Sequence, residues 1–168
     1  AESERFSFAS TLTLTDIDEN APIITAGQTL SYNENRTAGA VVGTVAASDD
    51  VGVTGFRFAA TGTNNSSDGY YSIAANGQIS LTAAGVAAGV ANNDFETGLN
   101  SFTYGIQASD GAGNWSAAED VTLTLTDVDE NAPTVAAGQS FTYAENQGVG
   151  SVVGTVVAAD DVGVTGYR

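Results

Sequence analysis

One stretch of the chain is written twice. "TLTLTDIDENAP", residues 11–22, returns as "TLTLTDVDENAP", residues 122–133, an offset of 111 residues. The match runs on without a gap: residues 11–57 and 122–168 are identical at 32 of 47 positions. Tyr32, Glu34 and Asn35 align with Tyr143, Glu145 and Asn146, and "VVGTVAASDDVGVTGFR" aligns with "VVGTVVAADDVGVTGYR". A self-similar period sets the architecture before any strand is assigned. A unit of this length has the size of a β-sandwich module. The 168 residues therefore parse into the end of one unit (1–20), a complete unit (21–131) and the opening third of another (132–168). A third of a sandwich cannot bury its apolar face alone, so the chain reads as a section of a tandem array.

The complete unit reads as all-β. Period-2 alternation with β-branched and aromatic enrichment, bounded by Gly, Asn and Asp, predicts strands at 29–33, 40–47, 54–60, 70–74, 78–82, 101–109 and 118–126. Asn76-Gly77 supplies a hairpin turn. The Ala/Gly-rich stretch 83–93 reads as a short helical turn. Phe56, Phe58, Ile73, Ile79, Leu81, Phe102, Tyr104 and Ile106 alternate and are the expected core. About seven short strands fit a two-sheet sandwich.

Composition narrows the chemistry. There are 20 Asp plus Glu against 4 basic residues, all Arg, for a net charge of −16. Such a surface repels nucleic acid and anionic membranes and attracts cations. No apolar run approaches the length of a membrane span. Cys, His and Met are absent. That excludes disulfides, Cys or His metal sites, and Cys- or Ser–His-type nucleophilic catalysis, so no enzyme is expected. Oxygen ligands remain, and these suit hard cations such as Ca²⁺.

The acids gather at the ends of predicted strands. Asp16, Asp18 and Glu19 follow one strand, Glu34 ends another, Asp49 and Asp50 a third. Asp94 and Glu96 share a loop, and Asp110 opens a turn. Asp127, Asp129 and Glu130 repeat the first group, and Glu145, Asp160 and Asp161 repeat others. Two like charges about 4 Å apart repel by about 1 kcal/mol in water and more at lower dielectric, so clustering calls for a counterion. Glu2, Glu4, Asp68, Glu119 and Asp120 stand outside the groups and read as solvated. The EF-hand pattern does not fit, because Ala132 and Gly138 stand where Gly and Glu are needed.

With these motifs assembled, the unit resembles a cadherin repeat of the bacterial cadherin-like sort found in large surface adhesins. "YNENRTAG" (32–39) is similar to the family's glutamate motif and "AASDDVG" (46–52) to a compressed Ala-x-Asp-x-Asp. "NDFE" (93–96) is similar to Leu-Asp-Arg-Glu, "ASDGAGN" (108–114) to Ala-x-Asp, and "TDVDENAP" to the inter-repeat linker. The resemblance implies a Greek-key β-sandwich, cadherin- or immunoglobulin-like, with Ca²⁺ between consecutive repeats. Carried over by position, one linker takes Glu34, Asp94, Glu96, Asp127, Asp129, Glu130, Asn131, Asp160 and Asp161. The other takes Asp16, Asp18, Glu19, Asn20, Asp49, Asp50 and Asp110. Family linkers carry Asn and Asp where Asp129 and Glu130 sit here.

The resemblance implies an extracellular, cell-surface adhesin whose repeats Ca²⁺ stiffens. Its partners would be neighbouring repeats, other copies of the chain or a surface glycan. Two alternatives stand beside it. One is a carbohydrate-binding module that stacks sugars on Trp115, Tyr70 and Tyr71. The other is a filament or spacer subunit, in which segments 1–20 and 132–168 complete the sheets of neighbouring chains as donated strands.

Overall fold

The structure, a computed structural model, describes residues 12–14, 17–88 and 93–168. The chain divides into two compact units at Thr126/Asp127.

The first unit holds β1 (Ile23–Ile24), β2 (Gln28–Asn33), β3 (Val41–Thr44), β4 (Ala47–Ser48) and β5 (Val53–Phe58). It continues with β6 (Tyr71–Ile73), β7 (Gln78–Leu81), α1 (Ala83–Ala88), β8 (Ser101–Asp110) and β9 (Glu119–Thr126). One sheet has the order β2-β9-β8-β5, the other β3-β7-β6, and β1 pairs with β4. β2 and β9 run parallel, placing Leu30 beside Leu123 and Tyr32 beside Leu125. The all-β sandwich expected from the repeat is the fold observed.

Alternation in the sequence becomes sidedness in the sheet. Along β9, Val121, Leu123 and Leu125 are buried while Thr122 and Thr124 lie between them on the other face. They join Ile24, Val42, Phe58, Tyr71, Ile73, Ile79, Leu81 and Ile106 in one core. Burying a Leu such as Leu123 contributes about 1.5–3 kcal/mol. Phe56 and Tyr104 pack against this core while staying partly exposed. Three tyrosines brace it. The Tyr32 and Tyr71 hydroxyls share a hydrogen bond of 2.5 Å, and Tyr104 packs edge-on against Tyr71. Burial, then hydrogen bonding, pushes the Tyr32 and Tyr104 hydroxyls above their ordinary pKa, so both stay protonated.

Two expectations need correction. The single strand expected over 40–47 is two elements in different sheets. The Gln28 side chain causes the break: its amide donates to Ala46 O and accepts from Ala46 N, at 3.0 and 2.7 Å. With Ala46 N taken by this side chain and Ala46 O shared between Gln28 and Thr25 N, the chain leaves β3 and pairs with β1, which the sequence pattern did not predict. Asp68, read as a solvated turn acid, is instead an anchor. It accepts from Ser66 Oγ (2.6 Å), Tyr70 N (2.9 Å) and Tyr104 OH (2.6 Å). The helical turn expected at 83–93 is α1 over 83–88, and 89–92 lie outside the described residues.

In the second unit, β10 (Thr134–Val135) pairs antiparallel with β11 (Ala158–Ala159). These are the repeat equivalents of β1 and β4.

Candidate metal centre

The first acidic group is built by the segment entering the unit and the turn after β4. Asp18, Asp49 and Asp50 each bring a carboxylate oxygen within 4.8 Å of the others. The "DDVG" sequence explains the geometry. Asp49 Oδ2 accepts from the N–H groups of Val51 (3.2 Å) and Gly52 (2.8 Å), a local turn that fixes the side chain. That leaves Asp49 Oδ1 buried with no hydrogen-bond partner, and both oxygens of Asp18 are in the same position. Buried carboxylate oxygens without a donor are costly, and carboxylates from three residues brought this close are the donor type a hard cation takes.

The same group recurs one repeat later in the second unit. Asp129, Asp160 and Asp161 also bring oxygens within 4.8 Å. Asp160 Oδ2 accepts from Gly163 N at 3.2 Å, and its Oδ1 is buried without a partner. Asn131 donates to Asp161 Oδ2 at 2.7 Å, as Asn20 donates to Asp50 Oδ2 at 2.8 Å. The side-chain amides of Asn20 and Asn131 each hold a carboxylate of their group in place. Glu19 stays exposed outside the group. Asp16 lies outside the described residues.

Electrostatics follow the geometry. Desolvation, then the charges of Asp110, Asp49 and Asp50, raise the Asp18 carboxyl above its ordinary pKa. Asp110 goes the other way although it is buried. Desolvation raises it, but the Asn114 side chain and the N–H groups of Asn114, Gly113 and Ala112 outweigh that and lower it. Asp161 is lowered chiefly by its Asn131 hydrogen bond.

Asn114 is the residue that sequence reasoning missed here. Its Nδ2 donates to Asp110 Oδ2 (2.8 Å) and to the backbone oxygens of Asp18 (3.1 Å) and Asn20 (3.4 Å). It ties the turn after β8 to the entering segment. The signal was present, since Asn114 closes the "ASDGAGN" motif.

At the other end of the first unit, Glu34 is buried and accepts from Phe95 N at 2.7 Å. Asn35 turns the chain there with φ of 58°, a left-handed conformation that Asn tolerates, and Asn146 repeats it at 62°. Asn93 pins this turn, taking the Asn35 N–H on its backbone oxygen (3.2 Å) and the Arg36 N–H on its side chain (2.6 Å). So "YNEN" and "NDFE", 61 residues apart, form one base, and Asn93 is a second missed residue. Asp94 Oδ1 is buried there without a partner. Asp127, Asp129, Glu130 and Asn131 belong to the second unit.

The aromatic platform does not form. Tyr71 is 0% exposed, being held in the core by Tyr32 and Tyr104. Trp115 is exposed and carries the Arg57 guanidinium over one face of its ring, 3.7 Å from the centroid.

Comparison with solved structures settles the architecture. The chain is similar to human Protocadherin-24 EC1-2, with TM-score 0.52, 22% identity, and coverage of 86% of this chain and 61% of that one. It is similar to the human Desmocollin-1 ectodomain, with TM-score 0.54, 19% identity, and coverage of 72% and 23%. The fold is the cadherin-type β-sandwich. A segment of 51 residues is 53% identical to "Cadherin EGF LAG seven-pass G-type receptor fmi-1" of Caenorhabditis elegans, covering 30% of this chain and 2% of that protein. The chain thus spans a small fraction of that relative's length. No protein-family model matches the chain. No helix among the described residues is long and apolar enough to cross a membrane.

Proposed function

We propose that the chain is a calcium-binding, cadherin-like segment of an extracellular adhesion protein, in which Ca²⁺ bound at the repeat junctions stiffens a tandem array. The observation that carries this is the duplication of one acidic constellation. Asp18–Asp49–Asp50 and Asp129–Asp160–Asp161 stand at equivalent repeat positions, and in each the first Asp of the Asp-Asp pair, Asp49 or Asp160, keeps a buried Oδ1 without a hydrogen-bond donor. Solvated surface acids have no need to converge with their oxygens desolvated; cation ligands do. Glu34, Asp94, Glu96, Asp127, Glu130 and Asn131 complete the ligand set on the reading carried over from the family motifs. Without the ion, the carboxylates repel and the junction flexes. With it, the charge is neutralised and the folded form gains stability by mass action. The close match between repeats supports a tandem-repeat parent protein, and the reading of it as a large surface adhesin of the bacterial sort rests on the family motifs alone. Calcium titration by calorimetry tests the reading, with Asp49→Asn and Asp160→Asn each expected to remove binding at one constellation. Heats indistinguishable from buffer in the parent chain exclude it.

A further inference from the structure

Asn114 stands where the Asp18–Asp49–Asp50 group meets the body of the first unit, and it is held from both sides. The turn after β8 fixes one side. Asp110, only 4% exposed, takes the N–H groups of Gly113 (2.7 Å) and Asn114 (2.9 Å) on Oδ1 and the Asn114 side chain on Oδ2 (2.8 Å). Gly113 supplies the positive φ of 95° on which the turn closes. Ser109 then bridges Trp115, and Ser116 N returns to Ala108 O at 2.8 Å, so the loop is locked onto β8 directly after Asn114.

From that anchor Asn114 Nδ2 reaches the backbone oxygens of Asp18 (3.1 Å) and Asn20 (3.4 Å). These carbonyls belong to the segment that carries the Asp18 carboxylate, whose oxygens are buried. Burial, then the charges of Asp110, Asp49 and Asp50, works against an ionised Asp18 in this place. Repulsion among the three carboxylates pushes the segment away, and a neutral amide draws it back. The Asn20 side chain also ties the segment, but it ends on Asp50, within the group itself. Asn114 makes the tie to the β8 turn.

We propose that Asn114 is a positioning residue for the cation site: its side-chain amide holds the Asp18–Asn20 backbone against the β8 turn, so that the Asp18 carboxylate stands beside Asp49 and Asp50 before the ion arrives. The inference rests on the calcium reading above and deepens it, because a donor set assembled in advance leaves less ordering to be done on binding. The place calls for a hydrogen-bond donor, since all three contacts of Nδ2 end on oxygens. Asn114→Asp keeps the shape but sets oxygen against oxygen. That substitution separates positioning from ligation. A new carboxylate in a ligand position would raise the ligand charge and hold Ca²⁺ at least as tightly, whereas at this tie it removes the donor.

Nuclear magnetic resonance on the nitrogen-labelled full chain tests this, as parent, Asn114→Ala and Asn114→Asp. Calcium is titrated while the amides of Val51 and Gly52, which donate to Asp49, report on this group alone. Both variants are expected to need about 10- to 100-fold more calcium than the parent. In chelator, amide relaxation is expected to show residues 17–20 more mobile in both variants than in the parent, a readout that involves no ion. The core amides of Ile106 and Leu123 report folding, and if Asn114→Asp disturbs them the Asn114→Ala chain decides. A parent that responds to calcium while Asn114→Asp binds as tightly or more tightly overturns this proposal alone. So does identical mobility of residues 17–20 in all three chains. A parent whose Val51 and Gly52 amides ignore calcium overturns the calcium reading at this group, and the proposal with it.

Discussion

Glu34 gives the sharpest separation between a structural and an ion-binding role. It is buried and takes the Phe95 N–H on Oε2 at 2.7 Å, which joins the turn after β2 to the loop before β8. Hydrogen bonds to a charged group contribute about 1.5–3 kcal/mol, so Glu34→Ala should lose roughly that much with or without calcium. At about 2.1 cal/mol/K per residue over about 110 residues, the unfolding entropy is about 0.23 kcal/mol/K, and the loss corresponds to about 6–13 °C. Glu34→Gln keeps an oxygen for Phe95 and gives up only the charge. In chelator it should melt within about 1 kcal/mol of the parent. Its calcium response should differ: a site at a hundredfold its Kd stabilises by about 2.7 kcal/mol, about 12 °C here, and the increment of the site Glu34 serves should vanish while that of the Asp18–Asp49–Asp50 group remains. Differential scanning calorimetry in calcium and in chelator measures all four numbers. A Glu34→Gln variant with the full calcium increment refutes the ligand role, and a Glu34→Ala variant that melts with the parent in chelator refutes the anchoring role.

Three further outcomes are expected. Asp68→Ala should cost about 1 kcal/mol, discounted for exposure, because Ser66, Tyr70 and Tyr104 lose their acceptor. Burial raises the Asp68 pKa, but its hydrogen bonds outweigh that and hold it below 3.8. Its contribution is therefore present above 3.8 and lost as pH falls through the depressed value, so the variant's acid limb should be shallower in a pH-dependent melt. Gly43→Ala would set a Cβ 2.8 Å from Leu30 Cβ and should cost about 1–3 kcal/mol by denaturant titration. Trp115→Ala should leave any glycan retention unchanged on an affinity column, since Arg57 already occupies the ring face.

The strands were legible wherever one face is buried and the other wet, as in Val121-Thr122-Leu123-Thr124-Leu125, because burial there follows a period of two. The break at Ala46 was not legible, since it depends on a Gln28 side chain 18 residues away. The acidic groups could be read because the repeat marks their positions twice. Their positioning amides, Asn93 and Asn114, lay inside the quoted motifs, but their roles come from side-chain-to-backbone bonds that close only when distant loops meet. The supposed stacking site failed for a related reason. Tyr70 and Tyr71 look alike in sequence, but strand alternation turns Tyr71 into the core.

The most direct test of the central claim is a thermal melt of the chain in millimolar Ca²⁺ and in chelator, paired with elemental analysis of the dialysed protein. A higher melting temperature in calcium and retained stoichiometric calcium are the predicted result, and identical melts with no bound calcium would contradict it.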